Sequence, residues 1–244
     1  MICVTGASSG LGREVALRLS GRVVATARRV QRLEALAAET GGRVEPYVLD
    51  VTDMEGCDEL VAHLLSEGCE GIILNAGVTA YEPYLEGEHE TDERLVATNV
   101  MGNLRLLRGL ADGWVARGVK GRVVIVASIG GLMPVPYQAV YAGTKAFMVN
   151  FGASVREELL PKGITVGVFA PGGIATEMTA GEDFANKAKH LAPVGDVAEA
   201  LIAAYRSGDA LVVPGAANKA TVLAGRVIPR GVMAKLSERI FRKD

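Results

Sequence analysis

Thr5-Gly6-Ala7-Ser8-Ser9-Gly10-Leu11-Gly12 decides the fold: it follows the short apolar run Ile2-Cys3-Val4 and leads into a helical pattern near Arg13. A glycine-rich turn between a strand and a helix lets backbone N–H groups approach a pyrophosphate at the positive end of the helix. Such glycines also serve simple tight turns. Placement after the first strand and before a helix favours dinucleotide binding, with Gly6, Ser8, Ser9, Gly10, Leu11 and Gly12 as the candidate contacts.

Outward from this turn, short β-branched runs alternate with longer helical patterns. Candidate strands are 2–5, 22–27, 43–49, 71–74, 122–128, 164–170 and 210–213; candidate helices lie near 10–20, 30–40, 53–67, 89–116, 137–160 and 195–207. Most of the strand runs are apolar on both faces, as a sheet covered on both sides requires. The alternation implies a Rossmann-type α/β fold: a doubly wound, seven-stranded parallel sheet with right-handed crossovers. No repeat or linker interrupts it. Residues 1–215 read as one nucleotide-binding domain, and 216–244 as a basic, amphipathic helical extension of it.

Composition agrees. A chain of 244 residues, 49% hydrophobic and 22% charged, can bury a large core without disulfides or metals. Cys3, Cys57 and Cys69 are odd in number and stand at no metal-like spacing, so reduced thiols in a cytoplasmic enzyme are expected. His63, His89 and His190 are scattered and read as surface residues, and no metal site is expected. The first apolar run is only a strand's length, so no signal peptide is expected, and no run reaches the roughly 20 residues needed to span a bilayer. A net charge of −2 argues against nucleic acid as a partner. The charge is uneven, however: residues 216–244 hold seven Lys/Arg against two Asp/Glu, a local +5.

The GxxxGxG spacing preceded by threonine resembles the fingerprint of the short-chain dehydrogenase/reductase family. The second strand ends at Ala27-Arg28-Arg29, and no acid occurs between Glu14 and Glu34. A carboxylate here would hold the ribose hydroxyls of NAD, whereas arginine accommodates the 2′-phosphate of NADP. NADP(H) is therefore expected over NAD(H), with Arg28 as the primary phosphate ligand and Arg29 as helper. The resemblance further implies that Asp50 and Val51, after the third strand, border the adenine. It also implies that Asn75-Ala76-Gly77, similar to the family's NAG motif, lies along the cofactor with Asn75 bracing the sheet. Pro171-Gly172-Gly173-Ile174-Ala175-Thr176 resembles the family's PGxVxT segment, in which Pro171, Gly172, Ile174 and Thr176 pass the nicotinamide.

Tyr141 and Lys145 are four apart in a helical segment, which puts both on one face. Tyrosine, with an ordinary pKa of ~10, is a poor base at neutral pH unless a nearby ammonium, together with the positive nicotinamide of the oxidised cofactor, favours the phenolate. A YxxxK pair alone is commonly an exposed helix pair. Here Ser128 stands at the end of the fifth strand, 13 positions before Tyr141, where a hydroxyl can hold a substrate oxygen. Asn99 falls where the family places an asparagine that holds a water, linking the lysine to solvent as a proton relay. Mid-helix asparagine is unfavourable by propensity, which agrees with a special role. The resemblance covers residues 1 to about 215, with its motifs in order, and implies hydride transfer between nicotinamide and a carbonyl or alcohol. Tyr141, Lys145, Ser128 and Asn99 are then the catalytic residues. A non-catalytic nucleotide sensor would be expected to lack these side chains; sugar epimerases carry a different glycine spacing.

The segments that border substrate in the family fall at 129–138 and roughly 177–194. The first, with Leu132, Met133, Pro134, Val135 and Pro136, carries no charge and suggests an apolar substrate; the second reads as a lid. In the tail, Val232, Met233, Leu236 and Ile240 form a helical stripe with Arg230, Lys235, Arg239, Arg242 and Lys243 mostly off it. Three readings stay open: packing over the pocket or a partner subunit, which is favoured; a membrane-surface helix; or attraction of an anionic substrate. The family resemblance implies a homodimer or homotetramer, built on the Tyr141 helix, acting on a small carbonyl or alcohol.

Overall fold

The computed structural model describes residues 1–181 and 191–242. Seven strands form one parallel sheet: β1 (Ile2–Thr5), β2 (Val23–Ala27), β3 (Val44–Val48), β4 (Gly71–Leu74), β5 (Arg122–Val126), β6 (Thr165–Phe169) and β7 (Leu211–Val212). Their order is β3-β2-β1-β4-β5-β6-β7, so the chain winds outward in both directions from β1 and β4. That reversal leaves a crevice at the carboxyl ends of β1 and β4, where ligands of such sheets bind. The doubly wound parallel sheet read from the apolar runs is what the chain forms.

Helices cover both faces. On one, α3 (Met54–Ser66), α5 (Gly102–Arg117) and α6 (Ala139–Leu159) bury Leu60, Leu64, Leu106, Leu110, Trp114 and Met148 against Ile72, Val123 and Val166. On the other, α1 (Gly10–Arg18), α2 (Val30–Glu39) and α7 (Val194–Ser207) bury Val15, Leu33, Leu36 and Leu201 against Val4, Ala25, Ile73 and Phe169. At about 25 cal/mol per Å² of apolar surface, these two layers supply most of what opposes chain entropy. Trp114 is fully buried and spends its indole N–H on the Cys69 carbonyl at 2.6 Å, so its polar atom is not orphaned. All three cysteines are free and buried, which rules out a disulfide framework among them.

The expected helix over 89–116 is interrupted. It runs as α4 (His89–Val96), a π-helical turn over Ala97–Met101, and then α5. Such a turn inserts one extra residue per turn and recurs at functional sites; Asn99 sits inside it. The tail is two helices, α8 (Ala216–Val227) and α9 (Arg230–Phe241), parted by Ile228-Pro229. Proline cannot donate to a continuing helix, which sets the break. No helix among the described residues is long and apolar enough to cross a membrane.

Candidate active site

The crevice is built from the strand ends upward. Thr5, fully buried at the end of β1, accepts hydrogen bonds at Oγ1 from the backbone N–H groups of Asn75 (3.0 Å) and Ala76 (2.9 Å). Asn75 returns the contact, its Nδ2 donating to the Thr5 carbonyl at 2.9 Å. The asparagine thus braces the two strands at the crevice, as the NAG motif implied. The turn itself needs glycine: Gly6 and Gly10 take φ of +68° and +54°. A methyl on Gly12 would lie 2.5 Å from both Asn75 Nδ2 and the Gly6 carbonyl oxygen. Gly12→Ala is therefore expected to cost about 1–3 kcal/mol of stability through overpacking. Urea denaturation measures it, and an unchanged midpoint would contradict the close approach.

Ser9 takes the N-cap position of α1, yet its side chain does not cap the helix. Its hydroxyl accepts instead from Arg29 Nη2 at 2.6 Å, and Ser8 accepts from Arg29 Nε and Nη2 at 3.1 and 2.9 Å. The first-turn N–H groups of α1 therefore have no side-chain cap, and they are the donors an anion would use. Arg28 leans away, on Asp50 at 3.5 Å. The structure thus joins Arg29, expected as the helper to Arg28 at the phosphate, to the fingerprint turn: it is the N-cap of α2 and folds back onto Ser8 and Ser9. Arg32, unnoticed in the sequence, completes a pair: it and Arg29 both grip Glu177, at 2.6 and 3.2 Å. Arg32 first, and then Arg29, hold the Glu177 carboxyl below its ordinary value. At Asp50, burial alone would raise the carboxyl, but bonds from Thr52 and the charge of Arg28 bring it below the ordinary value.

Ser128 caps the short 3-10 turn Ile129–Gly131, accepting from the Gly130 N–H at 3.1 Å. Its side chain also lies beside the Tyr141 phenol and favours the phenolate there. Lys145, one turn along α6, places Nζ 5.8 Å from the Tyr141 ring centroid and donates to the Val126 carbonyl at 2.9 Å. Burial raises the Tyr141 phenol above the ordinary value, and the Ser128 side chain only partly offsets it. Lys145 is itself only 5% exposed, and burial brings its own pKa down to about 8. The lowering expected for the phenol joins that ammonium to the positive nicotinamide of a bound, oxidised cofactor.

Asn99 is fully buried. Its Oδ1 accepts from the Val78 N–H at 2.8 Å, and its Nδ2 donates to the Val78 carbonyl and to Thr144 Oγ1 at 2.9 and 3.0 Å. Its own carbonyl accepts from Asn103 Nδ2 at 2.9 Å. Gly77 keeps the approach to Lys145 open: a methyl there would sit 3.2 Å from Asn99 Oδ1 and 3.3 Å from Lys145 Nζ. Asn99 and Lys145, 46 positions apart in the chain, thus face one gap. After β6 the segment from Pro171 arcs back over the crevice. Ile174 bridges to Ala192, and Thr176 lies where a methyl on Gly10 would come within 3.2 Å of its Cγ2.

The substrate side holds residues that sequence reading missed. Tyr137, at φ +64°, donates from its hydroxyl to Glu238 of α9 at 3.1 Å. Tyr81 bonds the Phe241 carbonyl, with the two rings 6.4 Å apart. The tail therefore packs on the loops bordering the crevice, which agrees with the favoured reading of it. A hollow beside Tyr141 is lined by Leu95, Ala80 and Val140 but also by Glu82 and Asp92, so it is not purely apolar. Asp53 caps α3, accepting from the Gly56 N–H at 3.1 Å. His63 pairs with Glu45 and His89 is exposed; no metal-binding cluster occurs among the described residues. His190 and the middle of the expected lid, 182–190, lie outside the described residues, as does Lys243 of the tail.

The pattern of the short chain dehydrogenase family matches residues 1–186. Sulfoacetaldehyde reductase of Chromohalobacter salexigens is 35% identical over 187 residues, covering 73% of this chain and 74% of that one. Serine 3-dehydrogenase of Agrobacterium fabrum is 34% identical over 185 residues, covering 73% of each. Among solved structures, a short-chain dehydrogenase from Sphingobium yanoikuyae in complex with NADPH superposes with a TM-score of 0.82 at 27% identity, covering 96% and 94% of the two chains. One from Burkholderia cenocepacia in complex with NADP gives 0.82 at 25% identity, covering 100% and 97%.

Proposed function

The chain belongs to the short-chain dehydrogenase/reductase family, and on that premise we propose that it reduces a ketone or aldehyde with NADPH, Tyr141 acting as the general acid. Membership makes it an oxidoreductase working between C=O and CH–OH. The observation that carries the finer reading is the Tyr141 phenol set beside Ser128, with Lys145 one turn away and its ammonium against Gly77.

The fit to NADP(H) rests on this chain's own groups. Glycines 6, 10 and 12 leave space no side chain could share, and the uncapped first turn of α1 offers N–H donors to a pyrophosphate. Arg29, Arg32, Ser8 and Ser9 form a cationic, hydroxyl-lined cluster suited to a phosphate monoester, with Arg28 at its edge. Asp50 and Val51 border the adenine side; Ala76 and Gly77, and then Pro171, Gly172, Ile174 and Thr176, line the path toward the nicotinamide.

When bound, the nicotinamide exchanges a hydride with the substrate carbon. Ser128 donates a hydrogen bond to the substrate oxygen and holds it against the phenol. Tyr141 then gives up its proton to that oxygen. A phenol raised by burial above its ordinary value of 10.0 is protonated at neutral pH, the form that donates in the reduction. Lys145 would hold the ribose and, with Asn99, would pass a replacement proton inward through water. General acid help of this kind is worth roughly a hundred- to ten-thousandfold.

A substrate panel run with NADPH and NADH on wild type, Arg28→Asp and Arg29→Asp tests the cofactor assignment. NADPH should outperform NADH on wild type. Arg29→Asp should lose about a hundredfold in kcat/KM for NADPH, since charge-assisted bonds are worth ~1.5–3 kcal/mol, and little for NADH. Better turnover with NADH on wild type would overturn it. The uncharged 129–138 segment favours a substrate with an apolar body. The exposed Phe147, stacked on Phe151, favours a dimer built on α6; light scattering decides the oligomer.

A further inference from the structure

The inward side of the tail is accounted for by its contacts with Tyr81 and Tyr137; the outward side is not. On α9, Val232, Leu236 and Ile240 repeat every four residues and are all exposed, Ile240 by 67%. Met233, expected in the same stripe, instead turns inward and is buried. On α8, Leu223 and Val227 continue the pattern, and Val227 is 79% exposed at the turn into α9. Side chains that stand so far into solvent cost free energy unless something covers them.

The charge around them is of one sign. Lys219, Arg226, Arg230, Lys235 and Arg239 are exposed and form no ion pair among the described residues. The one acid on the two helices, Glu238, is held by Arg242 at 2.7 Å and by Tyr137. Apolar stripes flanked by unpaired cations are the composition of helices that lie in a lipid–water interface. A second copy of the chain would bring five cations against five, which disfavours a two-fold contact through this face. A bilayer accepts projecting side chains without a complementary groove.

We propose that α8 and α9 dock the protein on an anionic lipid surface, Val227, Val232, Leu236 and Ile240 entering the headgroup region and the flanking Lys and Arg pairing with lipid charge. Because α9 is also tied to Tyr81 and Tyr137, docking sets the rim of the substrate crevice beside the bilayer. The docking does not depend on the redox chemistry, so either can fail alone.

The test uses the full chain with phosphatidylcholine vesicles, with and without phosphatidylglycerol. Wild type should co-sediment with the anionic vesicles only, and release as salt screens the contact. Lys235→Gln/Arg239→Gln should weaken binding about thirtyfold, at ~1 kcal/mol per cation near an anionic surface. Val227→Glu/Leu236→Glu should abolish it while turnover of a water-soluble ketone stays unchanged. Equal sedimentation with and without anionic vesicles overturns the proposal. So does light scattering that shows a dimer which the Val227→Glu/Leu236→Glu variant splits, since the face would then join two copies.

Discussion

Tyr141→Phe is expected to lower kcat for ketone reduction by about three to four orders of magnitude, at the upper end of what one general acid supplies. The binding constant for NADPH should stay within about twofold. The phenol oxygen is the group removed, and Ser128 is the side chain that favours its ionised form; the ring stays to pack α6 against the 129–131 turn. Turnover on a substrate panel and fluorescence titration of NADPH measure the two effects separately. Full turnover in the variant would remove Tyr141 from the chemistry. Loss of cofactor affinity equal to the loss of turnover would make it a structural support instead.

Lys145→Met is expected to act in two opposite directions. Turnover should fall by about a thousandfold, because the variant loses both the ribose contact and the inward proton path proposed for Lys145. Stability should rise. The ammonium is buried with a backbone carbonyl as its partner, and desolvation brings its pKa from the ordinary lysine value of 10.5 to about 8. A lysine with a depressed folded-state pKa opposes folding at pH values below about 8, where the folded chain must bury the charge. The opposition fades between about 8 and 10.5, as the unfolded chain alone holds the proton. At neutral pH the gain on removing the charge is up to about 3 kcal/mol, at ~1.4 kcal/mol per pKa unit. Urea midpoints at pH 7 and pH 10 check the sign: the variant should lead at the lower pH and converge with wild type at the higher. A variant less stable than wild type at pH 7 would show that the amine is better satisfied than its surroundings indicate.

What the sequence disclosed, it disclosed through local pattern. Strands such as Gly71–Leu74 are apolar on both faces because helices cover both, and their periodicity cannot be mistaken for a solvated edge. The glycine turn was legible because the close approach of Gly12 to Asn75 tolerates no side chain. The π-helical turn at Asn99 was not legible, since one added residue hardly disturbs the periodicity of a long helix; only an asparagine in an apolar surround hinted at it. The grip of Arg29 and Arg32 on Glu177 spans some 145 positions, beyond any window of spacing. Spacing tells that a lysine lies one turn from Tyr141, but not that burial reaches both groups at once, raising the phenol and lowering the amine. Pro229, a helix breaker that the reading of 216–244 as one helical extension passed over, separates α8 from α9.

The Tyr137–Glu238 bond bears on how this chain can be re-engineered. The strained Tyr137 is anchored from a helix a hundred residues further on, so residues 129–138 are not an interchangeable module. A chimera that imports this loop from a relative while keeping the native tail would release Tyr137 from its anchor and let the backbone there relax to negative φ. Transplants should therefore exchange the loop and the two terminal helices together, as one inheritable piece.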